Sequence, residues 1–203
     1  GTSSPEGLIG LPATASNTPK FRLQSASTNT DFAISSYADA NGTYVSLGAN
    51  YYLNSSGNDA VFETTDKSAY VVLDARNNGM VAFGTNSSGV AAERMRIDSS
   101  GNVGISNTTP SSFFAGARNL VVGSGSGTQG MTIYSGTSGA GKIQFADGTG
   151  SDAAKSAGGI RYDHSSNFMR FDTNDGTERM RITSSGNVGI GTTSPTYQTT
   201  VYG

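Results

Sequence analysis

The chain of 203 residues contains no cysteine, which excludes disulfide frameworks and thiolate metal sites. It holds one histidine, so a site built on several histidines cannot form. An excess of one charge is missing too: 13 Lys and Arg against 15 Asp and Glu give a net charge of -2, with no general pull toward nucleic acid or anionic membrane. No apolar run approaches the roughly 18 to 20 residues that span a bilayer, and the first residues show neither a basic region nor an apolar signal core. Large apolar side chains are scarce. Leu, Ile, Val and Phe number 36, just under the level of roughly 20% at which disorder competes with folding. A monomer with so few would have a thin core, and the expectation is that part of the burial occurs between chains.

What is present is strand and turn. Gly, Ser, Thr and Asn make up nearly half the chain. The 18 Phe and Tyr stand in short alternating runs, the pattern of half-buried strands rather than of solvating tails. Phe32 and Ile34 alternate with small residues, and Asn41-Gly42 before Tyr44-Val45-Ser46-Leu47 is a strong hairpin signal. Hairpins are also expected around Asn77-Asn78-Gly79 and around Ser165-Ser166-Asn167, between flanking apolar runs. No helical periodicity extends over three turns, and Ala153-Ala154-Lys155 is expected to be too short and too close to glycine to hold a helix. The predicted class is all-β.

The segment Glu93-Arg94-Met95-Arg96-Ile97-Asp98-Ser99-Ser100-Gly101-Asn102-Val103-Gly104-Ile105 returns 85 residues later as 178–190, identical at twelve of thirteen positions. Each copy runs into a Thr/Ser-rich proline stop, at Pro110 and Pro195, and Gly1-Thr2-Ser3-Ser4-Pro5 reads as the same stop from a preceding copy, so the beginning is expected to be an internal cut. Such self-similarity predicts tandem β-repeat units of short antiparallel strands, here 1–105 and 106–203. Proline lacks the N–H that a ladder needs, so each stop is expected to end a unit's sheet. The stretch from stop to next ending is 20 residues longer in the first unit, Pro5 to Glu93 against Pro110 to Glu178.

These endings, Glu-Arg-Met-Arg-Ile followed by Ser-Ser-Gly-Asn-Val-Gly-Ile and the Thr-Thr-Pro or Thr-Thr-Ser-Pro stop, resemble a segment repeated in tail-fibre and other virion appendage proteins of tailed bacteriophages. The resemblance is strongest over 93–110 and 158–195 and loose over about 6–90. It implies an elongated homotrimeric β-fibre in the extracellular virion, assembled with other virion proteins, positioning host-attachment elements, and often followed by a self-cleaving chaperone domain. It implies no catalytic residues and no cofactor.

Within that frame Met95, Ile97, Val103 and Ile105, with Met180, Ile182, Val188 and Ile190, are the expected oligomer core. Arg94, Arg96, Arg179 and Arg181 alternate with those apolar residues and are placed to pair with carboxylates, Glu93 and Glu178 being nearest, within a unit or between chains. Tyr37, Tyr44, Tyr51 and Tyr52 are candidate glycan contacts, since aromatic faces suit sugars. A module recognising host surface polysaccharide, a glycan-cleaving tailspike and a cellular adhesin are the competing readings. For cleavage the candidate carboxylate pairs are Glu63 with Asp66, Asp147 with Asp152, and Asp172 with Asp175, all at predicted turns. His164 lacks a nucleophile-elbow serine, and the glycines of 125–130 precede an expected strand at Met131-Thr132-Ile133-Tyr134 rather than a phosphate-binding helix. No enzymatic activity, metal or nucleic-acid partner is expected.

Overall fold

The computed structural model describes residues 21–23, 32–54, 56–62, 64–76 and 79–201. The chain is all-β and divides into two compact units that meet at Gly130 and Met131. Pro5, Glu63 and the Asn77-Asn78 pair lie outside the described residues.

The first unit contains β1 (Phe21–Leu23), β2 (Phe32–Asp39), β3 (Gly42–Ala49), β4 (Tyr52–Leu53), β5 (Asp59–Ala60), β6 (Ser68–Asp74), β7 (Met80–Asn86), β8 (Ala92–Ile97), β9 (Val103–Ile105) and β10 (Leu120–Val122). Eight of them form one sheet in the order β1-β2-β3-β6-β7-β8-β9-β10, and β4 with β5 makes a separate small hairpin. Every pairing is antiparallel except β9 with β10, which is parallel. The Ala40-Asn41 turn joins β2 to β3, as its sequence demands.

The 50–62 segment covers one face of this sheet and creates the core. Tyr51 and Leu53 are fully buried against Val72, with Tyr44, Tyr70, Ala82 and Ala91 around them. Glycines make room for the rings. A β-carbon on Gly84 would fall 2.2 Å from the Tyr70 ring, and one on Gly48 would fall 2.7 Å from the Tyr51 Cβ. The buried hydroxyls are satisfied: Ser35 and Ser46 share a hydrogen bond of 2.6 Å, and the Leu53 N–H donates to Ser35 Oγ at 2.9 Å.

The second unit contains β11 (Ala140–Phe145), a one-turn helix α1 (Asp152–Lys155), β12 (Gly158–Asp163), β13 (Phe168–Thr173), β14 (Thr177–Ile182), β15 (Val188–Ile190) and β16 (Thr199–Val201). The six strands lie in sequence order, antiparallel except β15 with β16.

Three local expectations are corrected. The Ala153-Ala154-Lys155 stretch does hold one helical turn, because Ser151 caps it by accepting from the Ala154 N–H at 3.2 Å, with Asp152 in the first turn. Met131-Thr132-Ile133-Tyr134 joins no ladder, and Tyr134 is 97% exposed. The prolines do not end the sheets. After Pro110 and Pro195 the chain returns to add β10 and β16 in parallel, which is why the first sheet runs past residue 105.

Candidate functional site

The repeated ending folds the same way in both units, nearly hydrogen bond for hydrogen bond. Gly101 and Gly186 close the turns by donating to Asp98 and Thr183 carbonyls at 2.9 Å, Ser106 and Gly191 donate to the Arg94 and Arg179 carbonyls at 2.8 and 2.9 Å, and Val103 and Val188 donate to Asn119 and Gln198 at 2.8 Å. At the one position that differs, Asp98 Oδ1 and Thr183 Oγ1 do the same work, accepting the N–H of Asn102 at 3.0 Å and of Asn187 at 3.1 Å. Ser111 and Asn102, with backbone N–H groups, hold the Asp98 carboxyl at about 2, below the usual carboxylate range. Pro110 and Pro195 are both buried as the chain crosses back.

A β-bulge sits inside each ending. Phe83 pairs with Met95 but Gly84 pairs with Glu93, and Phe171 pairs with Met180 but Asp172 with Glu178, so Arg94 and Arg179 are the extra residues. In a regular strand residues three apart point to opposite faces; across the bulge they share one. Glu93 therefore meets Arg96 in a two-pronged pair of 2.6 and 2.6 Å, and Glu178 meets Arg181 at 2.5 and 2.7 Å. Of the four arginines singled out from sequence, Arg96 and Arg181 thus pair within their own chain. Arg94 and Arg179 are exposed and donate to the Thr85 carbonyl and Thr173 Oγ1 at 3.2 Å each.

The eight apolar residues singled out from the endings all lie on one face of their sheets. Cross-strand partners extend that face. Ile34, Leu47, Val71, Phe83, Met95, Ile105 and Val122 form one continuous row across the first sheet, and Val45, Leu73, Val81, Ile97, Val103 and Leu120 form a second. In the second sheet Ile143, Ile160, Phe171, Met180 and Ile190 make one row, and Tyr162, Met169, Ile182 and Val188 another. None of these side chains is buried; Leu73 is 47% exposed, Leu120 52% and Ile190 41%. The buried hydrophobic cluster lies entirely within 44–91, so the second unit has none of its own among the described residues.

The tyrosines divide differently from expectation. Tyr44 and Tyr51 belong to the core, their hydroxyls on Asp59, so they offer no face to a sugar; burial pushes the Tyr44 phenol up to about 12 and that of Tyr51 up as well. Tyr37 and Tyr52 are half-buried, with Arg76 5.7 Å over the Tyr37 ring and Phe62 stacked on Tyr52 at 4.7 Å.

A cleft of about 570 Å³ opens at one end of the first sheet beside Pro110, lined by Asp74, Arg76, Met80, Arg96 and Asp98 among others. Its charges are already engaged, Arg76 with Asp74 at 2.9 Å and Arg96 with Glu93. Among the described residues no three of His, Asp and Glu gather where they could hold a metal. His164 stands 5.0 Å from the Tyr162 ring, and Asp172 is tied to Arg170 at 2.7 Å. Sequence reading missed a second feature, a row of cations on the polar face of the second sheet, although their alternation with Ile143, Ile160, Phe171 and Ile182 was there to be seen. No protein-family model matches the chain, and no curated protein is significantly similar to it.

Proposed function

We propose that this chain is a structural, non-enzymatic segment of a bacteriophage tail fibre or virion appendage, in which three copies join through their apolar sheet faces to make a shaft that positions host-attachment elements. The observation that carries the reading is the pair of exposed apolar faces. Continuous apolar surface beyond a few hundred Å² is unusual on a monomer and marks an interaction surface. Burying one Val, Leu, Ile or Met is worth about 1.5–3 kcal/mol, and each sheet presents two rows of such residues. The repeated endings place Met95, Ile97, Val103 and Ile105, and their counterparts 85 residues on, within those rows. The wording of the endings supplies the virion assignment.

Sedimentation equilibrium of the purified chain tests this reading. The expected mass is about three times 20.8 kDa. A cooperatively folded monomer would overturn the shaft and favour a module that recognises host polysaccharide alone.

A further inference from the structure

Lys142, Arg161, Arg170 and Arg181 are successive cross-strand partners on β11, β12, β13 and β14, so four cations stand side by side on the polar face of the second sheet. Directly opposed residues of an antiparallel pair have Cβ atoms about 4.5–5.5 Å apart, and like charges at that spacing repel. Carboxylates of the same face answer two of the four. Arg170 lies 2.7 Å from Asp172 and 3.5 Å from Glu178, and Glu178 also holds Arg181.

Lys142 and Arg161 make no ion pair among the described residues, and the Arg161 Nε is buried without a hydrogen-bond partner. Of the remaining acids nearby, Asp163 has its pKa lowered by the Ser165 hydrogen bond and in part by the Arg161 charge, but it makes no ion pair with Arg161, and its hydrogen bonds go to its own turn. Asp163, two residues beyond Arg161, accepts from Ser165 Oγ at 2.5 Å and from the Ser166 N–H at 3.3 Å, while Asp175 meets Ser156 Oγ at 3.5 Å. Between these two cations lies a cleft of about 190 Å³, lined also by Gln144, Ser156, Gly159 and the Arg170–Asp172 ion pair, so that three cations and one carboxylate face it. Pockets for drug-sized molecules begin near roughly 300 Å³, so this one has room for a single charged group.

We propose that this cleft binds an oxyanion, a sulfate, phosphate or carboxylate group, with Lys142 and the Arg161 guanidinium supplying the charge. A planar guanidinium matches such groups better than an ammonium does, which gives Arg161 the larger share of the recognition. Two sources offer this chemistry, a free inorganic ion and an acidic group carried on a polysaccharide. The site uses the opposite sheet face from the apolar rows, and its test does not depend on how the chain assembles.

Isothermal titration of the full chain with sodium sulfate, against sodium chloride at matched ionic strength, is the experiment. Saturable sulfate binding is expected, weakened at least tenfold in Arg161→Gln and reduced in Lys142→Met, the second variant carrying the test if the first does not fold. A sulfated oligosaccharide that binds tighter than sulfate identifies a polymer-borne group, and one that binds equally or more weakly identifies the free ion. Absence of saturable heat, or wild-type binding by both variants, overturns the site.

Discussion

Gly104 and Gly189 occupy the same place in the two endings, and in neither is there room for a side chain. A β-carbon would stand 2.2 Å from the Asn107 carbonyl oxygen or 2.5 Å from that of Thr192. Gly104→Ala and Gly189→Ala must therefore push the returning chain away, at a cost of about 1–3 kcal/mol in urea denaturation. Gly130→Ala meets nothing within 4 Å and is expected to stay within about 0.5 kcal/mol of wild type. Asp98 adds a pH dependence. Its carboxyl is held at about 2, against about 3.9 in an unfolded chain, so it contributes stability above the unfolded value that is lost as pH falls toward 2. Ser111→Ala, which removes the largest cause, should lower the melting temperature at pH 5 and converge on wild type near pH 2. The tyrosines mark where residue-level reading stopped. Alternation separates Tyr44 and Ser46 from Val45 and Leu47, but it cannot say which face is covered. That is decided by the distant 50–62 segment, which packs on the tyrosine and serine side and leaves the valine and leucine side open.

At the scale of elements, the bulge changes what each arginine does. Arg96→Ala leaves the largely buried Glu93 without its partner and should cost about 1.5–3 kcal/mol, while Arg181→Ala, which leaves Glu178 with Arg170 at 3.5 Å, should cost somewhat less. Arg94→Ala or Arg179→Ala, at the exposed extra residue, should cost no more than about 0.5 kcal/mol; thermal denaturation of the four variants separates the two classes. The hairpins were legible because their turns are short and chemically marked, as at Ala40-Asn41 and Ser165-Ser166-Asn167. The bulge was not, since Arg94-Met95-Arg96-Ile97 alternates without a break and only the register against Phe83 and Gly84 exposes the extra residue. The parallel strands β10 and β16 were hidden for a related reason. Each is three residues long and its partner lies across a crossing segment, with no turn between them to announce the pairing.

At the scale of the whole molecule, the proposed association would bear on the two units to different degrees. The first carries its own tyrosine-rich core under the 50–62 segment, whereas the second has, among the described residues, an apolar face and a charged face with no buried hydrophobic cluster between them. Dilution of the full chain should therefore cost β13 and β14 their amide protection before β6 and β7, as read by hydrogen exchange. Ile97→Asp together with Ile182→Asp, which places a charge in one apolar row of each sheet, should shift the sedimenting species to 20.8 kDa. The closure shared by the two units has one more consequence. Its turn, bulge, glutamate–arginine pair and returning strand bond mainly to one another and to a single neighbouring strand, β7 or β13. What precedes that strand is free to differ: the first unit carries 50–62 in the connection from β3 to β6, where the second has the shorter 146–157, with its one helical turn, between β11 and β12. The closure is thus a standard coupling: genetic exchange within the stretch encoding it would splice one sheet onto the end of another without disturbing the ladder, so that new units can be acquired whole.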